Sequence, residues 1–193
     1  MWANFSDYPV GDAPAVWSKI PVLVDAFKRY PEAKWVWWLD FDALIMTPTI
    51  DLGSHLLNPD VLLSKLWRDQ SFPLWHLNAG GDYVFHLPED PNPNEIHLII
   101  SGDQNGINAG SFFLRRTDWT DIFLDLWGDP FFRSQNWQAY EQDAIIHLLR
   151  HHQCIRDHVG MVSQKLINAY PDGDPEWDQW QPNDLVIHFP ACE

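Results

Sequence analysis

The sequence predicts one α/β domain over residues 1–193, with a mostly parallel central sheet flanked by helices. Three observations predict it. The apolar run Trp35-Val36-Trp37-Trp38-Leu39 is unbroken, as in a strand buried on both faces of a parallel sheet. Segments of helical periodicity alternate with further apolar runs, the pattern of α/β architecture. No repeat or linker divides the chain, and 193 residues that are 46% hydrophobic suffice for one full-sized core.

Residues 17–29 read as a helix, because Ile20, Leu23, Val24 and Phe27 fall on one face. Ser18 is its expected cap, and Pro21 is tolerable in the first turn. The strand 35–39 follows and would be the first of the sheet. Val61-Leu62-Leu63 predicts a short strand, and residues 69–95, rich in Pro, Asn, Asp and Gly, predict a long surface loop or lid. Ile96 to Ile100 is a second buried run. Small, turn-prone residues from Gly102 to Ser111 lead to a third, Phe112-Phe113-Leu114. Thr117 or Asp118 caps a helix with Trp119, Ile122, Phe123 and Leu126 as its apolar face. A further helix covers roughly 139–151, burying Ala144, Ile145, Leu148 and Leu149, with Glu141 and Asp143 in its first turn complementing the helix dipole. Leu185 to Phe189 makes the last strand.

Charge and cysteine content narrow the function. Twelve basic against 27 acidic residues give a net charge of −15, which repels nucleic acid and anionic membrane surfaces. An anionic substrate would then need a local cation. Cys154 and Cys192 form no disulfide framework, although one bridge between them stays open. No apolar run is long enough to span a bilayer, and the first twenty residues lack a signal-peptide pattern.

Asp40-Phe41-Asp42 is the most informative motif. On a strand, Asp40 and Asp42 would share one face at the carboxyl end, where α/β sheets collect their ligands. Two carboxylates so close call for a counter-charge, and hard oxygen ligands suit Mg²⁺ or Mn²⁺. A second pair of this spacing, Asp172-Gly173-Asp174, lies in a turn-like stretch and reads as chance. Among the tryptophans, Trp37, Trp38, Trp119 and Trp127 fit core positions. Trp67, Trp75, Trp177 and Trp180 are the ones free to meet sugars.

Five segments in order, "WVWWLDFDALIM", "HLIISGDQNGINAGSFFLRRTDW", "EQDAIIHLL", "KLINAY" and "LVIHFPAC", resemble the fungal Golgi galactosyl- and mannosyltransferases, a family that also includes plant xyloglucan xylosyltransferases. The resemblance implies a GT-A nucleotide-sugar fold and a retaining, metal-dependent transfer of galactose or mannose from UDP-galactose or GDP-mannose to a glycan acceptor. It serves protein glycosylation or galactomannan synthesis on the lumenal side of the Golgi membrane, with other glycosyltransferase subunits as partners. Asp40, Asp42 and His188 are the implied ligands of Mn²⁺ or Mg²⁺. Asp40, Asp103, Asn108, Gly110 and Ser111 are the implied substrate-binding residues, and Glu141 and Gln142 the implied catalytic pair. Family members also carry an upstream anchor, stem and initial strand–helix unit, so the chain is expected to be truncated at its N-terminus and a poor catalyst alone. Two alternatives are weighed beside this reading. One is a haloacid-dehalogenase-like phosphatase, which also places Asp-x-Asp after a buried strand; the other is an inactive, truncated carbohydrate-binding remnant.

Overall fold

A computed structural model of the chain describes residues 1–74, 77–171 and 179–190. In chain order its first half holds α1 (Lys19–Arg29), β1 (Trp35–Leu39), β2 (Ala43–Ile45), α2 (Pro59–Lys65), β3 (Asp69–Pro73), β4 (Asp82–His86) and β5 (Leu98–Asp103). The second half holds β6 (Gly106–Arg115), α3 (Asp118–Trp127), α4 (Pro130–Arg133), α5 (Tyr140–His151), α6 (Gln153–Arg156), β7 (Val159–Val162), α7 (Gln164–Ile167) and β8 (Val186–His188). Within the described residues, no helix is long and apolar enough to cross a membrane.

The central sheet has the strand order β1-β6-β5-β7. It is mixed rather than mostly parallel, because only β5 and β7 run together while β1–β6 and β6–β5 are antiparallel. The cause is local. Residues 103–106 form a tight hairpin turn in which Asp103 Oδ1 accepts the amide of Asn105 and Gly106 adopts φ +134°. A strand leaving so short a turn can only come back antiparallel. β1 lies at the sheet edge, where Trp38 alone of its five residues is buried, so the run is not a strand buried on both faces.

Alternating side chains on the sheet feed two apolar layers. Leu98, Ile100, Phe112 and Leu114 face α1, α3 and α5, forming the larger core with Trp17, Leu23, Phe123, Trp127 and Leu148. Ile99 and Phe113 face the other way, onto Leu56, Leu62, Val162 and Ile167. Trp37 extends this second layer, stacking on Phe113 with ring centroids 5.0 Å apart.

Several expected elements differ. Val61–Leu63 lies inside α2, which starts at Pro59 in its first turn and buries only Leu62. Three apolar residues cannot set a period. Residues 69–95 are not a loop or lid but mainly the β3–β4 hairpin, whose inward Phe72 and Phe85 are fully buried. Each of its strands carries one buried apolar side chain, too few to register as alternation. Ser18 does not cap α1; its hydroxyl donates to the Tyr8 carbonyl at 2.7 Å. Thr117 does cap α3, but that helix buries Thr120, Phe123, Leu124 and Trp127 and exposes Ile122. The last helix buries Ala144, Ile145, Leu148 and Leu149 as expected.

Candidate functional site

Asp40-Phe41-Asp42 is a turn, not the end of a strand. The Ala43 amide donates to the Asp40 carbonyl at 3.0 Å, and the Asp40 amide donates to the Gly110 carbonyl at 2.8 Å. Strand alternation therefore does not apply to the pair. The turn instead leaves Phe41 87% exposed and keeps both acids partly buried. Beyond it, β2 pairs with β8, setting Ala43 opposite His188, and the Phe189 amide donates to the Asp42 carbonyl at 3.0 Å. This pairing carries the terminal histidine to the motif. One ligand atom from each of Asp40, Asp42 and His188 lies within 4.8 Å of the others.

The cluster fits a divalent cation. Asp42 Oδ1 is buried without a hydrogen-bond partner, although His188 Nε2 stands 3.3 Å away. Burial pulls the His188 pKa down by more than Asp42 and Asp40 raise it, so the ring is neutral near pH 7 and keeps a lone pair. A buried carboxylate oxygen beside a neutral imidazole is a donor set able to hold an ion, and carboxylate-rich sets suit Mn²⁺ or Mg²⁺. Gly110 makes the arrangement possible. A Cβ there would lie 2.3 Å from His188 Cε1, so a side chain would displace the ring.

Lys19, in the first turn of α1, is the charged group that the sequence reading missed. Its Nζ lies 2.9 Å from Glu141 Oε1 and 3.3 Å from Asp40 Oδ2, and it donates to the Ala109 carbonyl at 2.9 Å. Burial lowers the Lys19 pKa, yet Glu141 and Asp40 together outweigh it and the net shift is upward. It therefore stays charged. A cation in a helix's first turn opposes the helix dipole. That local conflict is the sequence signal which could have marked it.

The wall opposite is a bulge. Between Ile100–Phe112 and Ser101–Asn108 the β5–β6 register breaks, so Ala109, Gly110 and Ser111 leave the ladder with β5. The bulge aims the Ala109 amide at Gln142 Oε1 (2.7 Å), which leaves the Gln142 NH₂ as the group it can offer. The same bulge sends Ser111 away from the motif, where its hydroxyl accepts from Trp37 Nε1 at 3.1 Å and is fully buried. Ser111 is not on the cleft wall, and neither is Gly110, which packs on His188.

Asn108 is committed inside the protein. Its Nδ2 donates to Asp103 Oδ2 and to the Tyr170 hydroxyl, while its Oδ1 accepts from the Gly110 amide and Asn168 Nδ2. Those four bonds fill the amide's capacity, so the Asn108 side chain is fully engaged in holding the wall. Tyr170 also donates to Asp103 Oδ2 at 2.6 Å, and burial beside that carboxylate pushes its pKa up. Tyr170 and Asn168 sit in the "KLINAY" segment without having been singled out.

These groups enclose a cleft of about 500 Å³ lined by Lys19, Asp40, Asp103, Asn108, Glu141, Gln142 and Tyr170. Tyr140 lines it as well, at φ +47°, a left-handed conformation unusual for tyrosine. Of the tryptophans thought free for sugars, Trp67 packs against the main core. Trp180 is half-buried. Trp75, Trp177, Cys192 and the second Asp-x-Asp lie outside the described residues. Cys154 is a free, exposed thiol.

Comparison with known proteins identifies the family. The chain is 41% identical over 184 residues to an uncharacterized alpha-1,2-galactosyltransferase of Schizosaccharomyces pombe, covering 95% of this chain and 48% of that one. It is 34% identical over 161 residues to the probable alpha-1,6-mannosyltransferase MNN10 of Saccharomyces cerevisiae, covering 81% and 39%. The chain thus spans about half the length of these relatives or less. A crystal structure of a glycosyltransferase involved in glycosylation of the major capsid of PBCV-1 superposes with a TM-score of 0.60 at 16% identity, over 96% of this chain and 75% of that one. That likeness concerns the fold, which is GT-A-like. The model of the galactosyl transferase GMA12/MNN10 family matches residues 1–193, and the chain belongs to that family.

Proposed function

We propose that this chain carries the sugar-transfer centre of a metal-dependent, retaining hexosyltransferase of the Golgi lumen. Galactose or mannose would pass from UDP-galactose or GDP-mannose to a glycan acceptor. The observation that carries the reading is the convergence of Asp40, Asp42 and His188 beside a polar cleft. The cleft is rich in acid, with Asp40, Asp103 and Glu141 on its wall and Lys19 already paired. A diphosphate entering such a field needs a further cation.

Asp40, Asp42 and His188 would hold Mn²⁺ or Mg²⁺, and the bound ion would supply charge neutralisation and Lewis acidity at the leaving diphosphate. Lys19 keeps Asp40 and Glu141 in place and fixes the Ala109 carbonyl. The Gln142 NH₂ and the remaining lone pair of Asp103 Oδ1 are the groups available to sugar hydroxyls. Glu141 is buried and tied to Lys19, so it enters the cleft as a positioned, already paired carboxylate rather than a loose one. Retention requires either a nucleophile on the far face of the sugar or a same-face dissociative route. Glu141 and Gln142 both line the cleft and are the pair this reading assigns to that step.

The phosphatase alternative is not favoured, because the family match covers the entire chain. The test is release of UDP from UDP-galactose, and of GDP from GDP-mannose, with Mn²⁺ and an α-mannoside acceptor. Release from one donor, dependent on Mn²⁺ and lost in Asp42→Asn, is expected. Release indifferent to the metal and to Asp42 would refute the reading.

A further inference from the structure

A second cluster stands at the end of the sheet remote from the cleft. Glu95 closes the short turn Pro93–Glu95, His97 precedes β5, and His158 precedes β7. β5 and β7 are parallel neighbours with Leu98 opposite Val159, so the backbone sets the two histidines side by side. Their rings stack at 4.8 Å and 8°. Trp119 packs against both, at 5.5 Å from His97 and 5.6 Å from His158. Ligand atoms of Glu95, His97 and His158 all lie within 4.8 Å of one another.

Of the three groups, His97 is the poorly satisfied one. His97 is 6% exposed, yet its Nδ1 has no hydrogen-bond partner and its Nε2 is 3.7 Å from Glu95 Oε2, beyond hydrogen-bonding reach. His158 Nδ1 is 4.0 Å from the same oxygen, while the Glu95 carbonyl holds it at 2.7 Å. Arg115, the nearby cation, is occupied: it donates to the Asn94 carbonyl and lies over the Trp35 ring.

We propose that Glu95, His97 and His158 form a second metal site, for an ion of the Zn²⁺ class, which braces the turn, β5 and β7. Two imidazoles and one carboxylate are a three-ligand set that Zn²⁺ accepts, with water in the fourth position. Around a tetrahedral Zn²⁺ the ligand atoms lie about 3.3 Å apart, so the stacked His97 and His158 rings must turn to bring both lone pairs onto one ion, and the Glu95 oxygen must close on each nitrogen by roughly half an ångström. Glu95, with 57% of its side chain exposed, has the freedom to do so. Ligation through His158 Nε2 keeps the Glu95 carbonyl bond as a brace on the ring, whereas ligation through Nδ1 exchanges that carbonyl for the ion. The donor set also separates the two sites, since imidazole-rich ligands favour Zn²⁺, Ni²⁺ or Cu²⁺ over the Mn²⁺ or Mg²⁺ suited to the carboxylates of the cleft. The six residues of β5 hold them about 20 Å apart. Its role is therefore structural and independent of transfer.

The experiment titrates ZnCl₂ into metal-stripped Asp42→Asn protein, in which the cleft cluster has lost a ligand, and records heat and melting temperature. One equivalent should bind and raise the melting temperature, and MnCl₂ should not. Adding Glu95→Gln and His158→Gln, at positions that are not buried, should weaken zinc binding roughly a hundredfold. Unchanged affinity in that variant, or no zinc-induced rise in the Asp42→Asn protein, would overturn the proposal. Should Asp42→Asn fail to fold, the ring ¹⁵N signals of His97 and His158 in the wild-type protein decide. They should shift with one equivalent of Zn²⁺ beyond that taken by the cleft, and signals that do not move refute the site.

Discussion

Lys19 shows how much of the candidate centre depends on one side chain. It is a buried cation with two acidic partners, one of them, Glu141, as buried as itself. Removing one member of such a cluster leaves an uncompensated buried charge, which generally costs about 3–5 kcal/mol. Lys19→Met should therefore lose about that much stability in urea unfolding at pH 7. Adding Glu141→Gln should restore part of it, because the orphaned carboxylate is then gone. A Lys19→Met protein within about 1 kcal/mol of wild type would mean that the cluster is solvated and weak. Asp40, Asp42 and His188 were legible residue by residue from the family motifs. Lys19 was not, since a lone lysine in a helix reads as solvent-exposed until its partners are brought together in space.

At the scale of the element, the bulge in β6 decides which residues of "GINAGS" face the cleft. The sequence presents Asn108, Gly110 and Ser111 as one sugar-lining segment. The register break divides their tasks: Asn108 braces the wall, Gly110 admits the His188 ring, and Ser111 turns into the core against Trp37. Ser111→Ala should thus cost about 1 kcal/mol from the lost Trp37 bond and leave Mn²⁺-dependent nucleotide affinity unchanged. A marked loss of that affinity with stability intact would return Ser111 to the binding site. A bulge is set by how two strands meet, and neither strand's own sequence states it. The β3–β4 hairpin was hidden for a related reason, because each strand buries one phenylalanine, Phe72 or Phe85, and the Pro, Asn, Asp and Gly content of residues 69–95 outweighs its short apolar runs. The helices were legible because their periodicity is carried within one segment, as Ala144, Ile145, Leu148 and Leu149 show.

Across the whole molecule, the histidines shape the response to pH. Burial is the leading cause of depressed pKa values at His97, His147 and His188, relative to the ordinary value of 6.5. Below 6.5 the unfolded chain gains protons that these sites resist in the fold, so the unfolded state binds more protons and stability drops as the pH is lowered. Their contribution is fully present above pH 6.5 and is lost on descending through the folded values. Urea midpoints in chelator should be lower at pH 5.5 than at pH 7.5. A midpoint that holds or rises would show these rings to be charged in the fold. The mixed sheet belongs to this scale as well. A parallel sheet was inferred from single apolar runs, but the tight turn at Gly106 and the edge position of β1 are properties of the assembled chain.

On the proposed function, Asp40, Asp42 and His188 give this fold an affinity for nucleoside diphosphates through a divalent cation. Calorimetric titration of UDP and GDP into the wild-type chain and Asp42→Asn, each with and without Mn²⁺, tests it most directly. Binding of one nucleotide that requires Mn²⁺ and weakens at least roughly tenfold in Asp42→Asn is the expected result. Affinity equal with and without the ion, or equal in the two proteins, would contradict the account.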